Sequence, residues 1–144
     1  MPTFDLTDGA AAVVPFQGGK FFKTAPITIS VPTTAVTNDV IQAVPIKAGW
    51  LVQGVIVKMV TAAVGTAHTA DIGITGGTTA GFDAAISLKG AAGTVTFSTP
   101  SDTYTAAGGF YATANDTVDV LMKSIDTLTV FPTFTISVYG IDTN

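Results

Sequence analysis

Branching at the β-carbon is the feature that most constrains this chain. Thr occurs 25 times, Val 16 and Ile 11, so 52 of 144 residues, or 36%, are β-branched. Such side chains are stiff at χ1 and pack well on a pleated surface, which favours strands over helices. The residues that populate solvent-facing helices are scarce, with no Glu, no Arg and five Leu. Fifteen Gly and seven Pro supply turns between short strands. The chain reads as all-β, and its length suits one domain.

The alternation bears this out along the chain. Ile27, Ile29 and Val31 share one parity and Pro32 ends the run. Residues 39–46 follow, with Val40, Gln42, Val44 and Ile46 on one parity and Ile41 and Ala43 on the other. A helical spacing is also present there, but Pro45 would limit a helix to about two turns, so a strand is expected. Residues 51–61 form the longest run. Val55, Val57 and Met59 face one way, and Ile56, Lys58 and Val60 the other, which predicts burial on both faces or one face against a partner. Residues 67–75 place Ala70, Ile72 and Ile74 inward, and Ala84, Ile86 and Leu88 repeat the pattern. Residues 94–98 form a short element, followed by a polar loop over 99–109. Phe110 to Thr113, then residues 117–123 and 130–141, complete the series, with turns expected at Asn115-Asp116 and over 124–127. Phe134, Ile136 and Val138 should face inward, and Pro132 implies an edge or a bulge. Eight or nine short strands with turns between them predict a two-sheet antiparallel sandwich.

Residues 1–20 lack a sustained period and stand apart from the single domain over 21–144. They are either a frayed terminus or an extended arm that docks on a neighbouring subunit. Phe4, Leu6, Val13, Val14 and Phe16 favour the arm, being many large apolar groups for a free tail. Trp50 and the two-faced strand behind it are further candidate assembly contacts.

Mean hydropathy is +0.53, yet the longest uncharged runs, 24–38 and 127–141, are shorter than the roughly 20 apolar residues of a spanning helix. The N-terminus has no basic start or continuous apolar segment. A soluble chain made in the cytosol is expected, with no membrane partner and with surface covered by another protein.

Catalytic chemistry finds little material. Cysteine is absent and His68 is the single histidine, so a multi-ligand zinc site is excluded. None of the six serines lies in a G-x-S-x-G elbow. His68 shares the inward parity of Ala70 and Ile72 and reads as a packing residue. Asp71 and Asp83 flank a glycine-rich loop that could present oxygens to calcium, but its intervening residues carry no charge, and turn capping is the simpler role. Net charge is −4 with six scattered lysines and no arginine, which argues against a nucleic-acid partner. No enzyme activity, cofactor or metal is expected. Trp50, Tyr104, Phe110 and Tyr111 could stack on a glycan, although core or interface packing is the plainer use of such rings.

Pro45-Ile46-Lys47-Ala48-Gly49-Trp50-Leu51-Val52 followed by Val55-Ile56-Val57-Lys58 resembles the small jelly-roll decoration, cement and head-fibre proteins of tailed bacteriophages. Ala70-Asp71-Ile72-Gly73 with Gly81-Phe82-Asp83 looks like their central hairpin, and residues 112–120 like their late strand entry. The resemblance covers residues 21–141. It implies a jelly roll, a homotrimer, the major capsid protein as partner, and a place on the capsid exterior after synthesis in the host cytoplasm. It carries no catalytic residues. A receptor- or glycan-binding module of a head fibre or tail spike is the alternative.

Overall fold

The computed structural model describes residues 20–144, in which the alternating runs become ten strands. They are β1 (Lys20–Lys23), β2 (Ile27–Ser30), β3 (Val40–Ile46), β4 (Trp50–Thr61), β5 (Ala67–Gly73), β6 (Asp83–Ser87), β7 (Val95–Phe97), β8 (Phe110–Tyr111), β9 (Asp116–Asp126) and β10 (Thr133–Asp142). One helical turn, α1 (Thr103–Ala106), interrupts the loop before β8. The strand beyond the expected eight or nine is β1, which Thr24-Ala25-Pro26 separates from β2. The arm contacts Phe4, Leu6, Val13, Val14 and Phe16 lie outside the described residues.

β10 and β4 pair antiparallel at the centre of the first sheet. β1 and β2 line the far edge of β10, and β7 and β8 line the far edge of β4. The second sheet runs β3-β9-β5-β6, also antiparallel. The two stack as a sandwich of jelly-roll type, because each presents an apolar face that must leave water. Val52, Val55, Val57, Met59, Phe134, Ile136 and Val138 of the first sheet are buried, as are Val44, Ile46, Ala70, Ile72, Val118, Val120 and Met122 of the second. The inward sets expected for β4, β5 and β10 are therefore the core.

Three of the register shifts bear on the expected pattern. In β3 the shift between Gln42 and Val44 makes Ala43 an extra residue. Val40 and Gln42 then face solvent, whereas strict alternation would put them inside with Val44 and Ile46. In β9 residues 124–126 of the expected turn over 124–127 are instead strand. A shift opposite Thr69/Ala70 absorbs Lys123, and Ser124 pairs with Thr69, their hydroxyls 2.7 Å apart. The turn comes later, at Thr127, whose φ is 50°. Pro132 ends just before β10, and a shift between Thr133 and Phe134 follows it. The extra residue at that shift is Val60 of β4, so β10, which is paired along both edges, is neither an edge nor itself bulged beside Pro132.

Candidate functional site

The residues with chemistry to offer are tied into the fold. His68 on β5 is 1% exposed and its Nε2 lies 3.2 Å from Met122 Sδ. Its Nδ1 has no hydrogen-bond partner among the described residues, and burial lowers its pKa by disfavouring the charged ring. It is the packing histidine that parity predicts.

Asp71, Asp83 and Asp119 are buried, and each accepts from nearby backbone or hydroxyl donors. Asp71 Oδ1 accepts the Ala85 N–H at 2.7 Å, and Lys123 Nζ stands 3.9 Å from Oδ2. Asp83 Oδ1 accepts the Ala84 N–H and the Thr99 hydroxyl, both at 3.0 Å. Burial raises the Asp83 pKa against those two bonds, with the charges of Asp102 and Asp71 pushing the same way. Asp119 takes the Thr75 N–H at 3.0 Å and the Thr117 hydroxyl at 2.6 Å. Asp71 thus ties β5 to β6, Asp83 ties the start of β6 to Thr99, and it is Asp119 that holds the glycine-rich loop at Thr75. Among the described residues there is no pocket and no group of three metal-ligating side chains. No described helix is long and apolar enough to cross a membrane.

The aromatic residues divide. Tyr104 packs between Phe82 and Phe110, with ring centroids 5.2 and 4.9 Å away, and its Oη accepts the Thr78 N–H at 2.7 Å. Trp50 is half-buried, 4.2 Å from the Phe22 ring. Tyr111 alone of the four presents its ring to solvent, at 51% exposure.

Tyr111 belongs to a larger feature, the outer face of the first sheet. In antiparallel sheets, paired residues point to the same side. Phe21 pairs with Ile141, Ile141 with Leu51, and Leu51 with Tyr111. These four apolar side chains form one row across β1, β10, β4 and β8. Phe21 is 86% exposed, and Ile141 and Leu51 are half-buried. Higher on the same face Ile56 pairs with Phe97 (61% exposed), and Lys58 pairs with Val95. Between the two groups Tyr139 pairs with Gly54, and its ring lies over that glycine. Lys23, paired with Tyr139, and Lys58 are the charged strand residues here, and no described strand residue on this face is a carboxylate.

The outward parity of Leu51–Thr61 marks part of this face from the sequence. Phe21, Ile141 and Tyr111 escape such a reading because they come from segments far apart in the chain, and only register aligns them. Trp50, the assembly contact named from sequence, points to the other side of β4 from Leu51 and rests on Phe22.

No family model matches the chain, and no curated protein matches it. Its fold is shared by two solved structures. A chain in the capsid asymmetric unit of cyanophage Pam1 is 18% identical with a TM-score of 0.59, covering 98% of this chain and 97% of that one. A chain in the capsid of Ralstonia phage GP4 is also 18% identical, with a TM-score of 0.60 and coverage of 92% and 90%. At that identity the likeness establishes the fold.

Proposed function

We propose that the protein is a structural component of a phage virion, a non-enzymatic decoration or cement subunit bound to the outside of the head and stabilising it. The observation that carries this reading is the fold shared end to end with chains from two phage capsids. Coverage near completeness on both sides means that the Pam1 chain is about as long as this one, as befits a small accessory subunit.

Three features support the reading. The outer face of the first sheet leaves large apolar side chains in water, as expected of a surface that a partner covers. A net charge of −4 suits a position away from packaged DNA, whose lining would be basic. A cysteine-free sandwich with its one histidine buried has little to oxidise or titrate near neutral pH. The partner is the major capsid protein, and the subunit acts as a homotrimer. Binding only the assembled shell favours that shell by linkage, and three tethered contacts hold more tightly than one. The domain is residues 21–144, with residues 1–20 as an arm contributing Phe4, Leu6, Val13, Val14 and Phe16 to assembly.

Particles made with and without the protein test this. Loss of heat or pressure resistance in its absence, and co-purification with heads, are expected. Unchanged resistance together with failure to co-purify would refute the decoration role. Glycan binding by a fibre or spike tip has less support, since Trp50, Tyr104 and Phe110 are engaged within the subunit. Hits on a glycan array that Tyr111→Ala abolishes would favour it.

A further inference from the structure

We infer that residues 4–16 of one copy lie across the outer face of the β1-β10-β4-β8 sheet of a second copy. This rests on the assembly reading above and names the surface that receives the arm.

The two surfaces are complementary in chemistry. The face offers the apolar row Phe21, Ile141, Leu51 and Tyr111, the Ile56–Phe97 pair above it, and the two cations Lys23 and Lys58. Among the described residues the one ion pair is Lys123–Asp71, so neither cation has a carboxylate at ion-pair distance there. Residues 4–16 carry five large apolar side chains, two carboxylates at Asp5 and Asp8, and no lysine. Apolar groups thus meet apolar groups and anions meet cations, while no charge of like sign is opposed. The lengths agree as well. Residues 4–16 extended span up to about 43 Å, and the twelve residues of β4 span about 40 Å at about 3.3 Å each.

Direction decides which copy receives the arm. β1 is extended from its first residue, with Lys20 paired to Asp142 and Phe21 to Ile141. The strand axis at Lys20 therefore lies in the plane of the sheet, and a segment continuing it points away from this subunit's own face and toward a neighbour.

Carbodiimide cross-linking of the full chain, mixed from unlabelled and ¹⁵N-labelled protein, tests this directly. Asp5 or Asp8 should be joined to Lys23 or Lys58 in mixed light–heavy pairs. Pairs found only within one copy, pairs to Lys47, Lys89 or Lys123 in their place, or no pairs at all would overturn the inference. In a second arm, Phe21→Asp with Tyr111→Asp should abolish the mixed pairs and weaken association at least tenfold by native mass measurement. Both positions are exposed, so the fold should survive, and unchanged association would also overturn it. Particle heat resistance is scored separately, so the decoration role can fail while the cross-links stand, and the reverse.

Discussion

Gly140 of β10 sits so close to Leu51 of β4 that a β-carbon on residue 140 would overlap the Leu51 carbonyl oxygen. The approach occurs at the register shift between Tyr139 and Gly140, where Gln53 is the extra residue on β4. Because backbone blocks the space, Gly140→Ala must push the two central strands apart. Overpacking of this kind costs about 1–3 kcal/mol, and each kcal/mol lowers the melting temperature by about 2–4 °C in a chain of this size. Gly54→Ala is the control. Its new methyl meets chiefly the Tyr139 side chain, which can swing aside, so thermal unfolding should show a smaller loss.

The buried His68 makes stability depend on pH. Its folded pKa lies below the ordinary 6.5 because burial disfavours the imidazolium. The unfolded chain therefore binds the proton more readily, and stability rises with pH across that window. This contribution is complete above about pH 6.5 and is lost as the pH falls through the lowered folded value. Denaturant unfolding of the wild type and His68→Leu between pH 8 and pH 5 should show the wild type weakening on acidification and the variant doing so less. Equal slopes would show that His68 does not titrate this way.

Tyr104 joins the glycine-rich loop to α1 through one hydroxyl. Removing it in Tyr104→Phe leaves the Thr78 N–H without its 2.7 Å acceptor. The expected loss is about 1 kcal/mol at this half-buried site, with faster amide exchange at Thr78. Unaltered exchange there would mean that the loop is held by its other contacts.

Phe97 and Tyr111 bracket the outer face of the first sheet and bear little on the fold of the single subunit. Phe97→Lys and Tyr111→Lys should each leave unfolding free energy within about 0.5 kcal/mol of wild type. Both should weaken association between copies by native mass measurement. A large loss of stability with association intact would make this face structural.

The sandwich was legible because burial and alternation share a period of two. Phe134, Ile136 and Val138, like Val55, Val57 and Met59, announce one face of a strand, and all are core. That Asp119 and not Asp71 or Asp83 would hold the glycine-rich loop was not legible, since Thr75 meets it only across the fold. The displacement of Val40 and Gln42 to the surface was not either, since the bulge at Ala43 exists only against β9. Nor was the continuation of β9 through Ser124, which depends on Thr69 across the sheet.

Composition and local alternation by themselves determined that the chain is all-β, which side chains of its long strands turn inward, and that catalytic groups are few. Those properties arise from steric preferences and hydrophobicity within a few residues of each position. Tertiary structure alone decided that Phe21, Ile141, Leu51 and Tyr111 stand in one row. Cross-strand register is set by pairing between segments up to 122 positions apart (Lys20 and Asp142), and no local pattern encodes it.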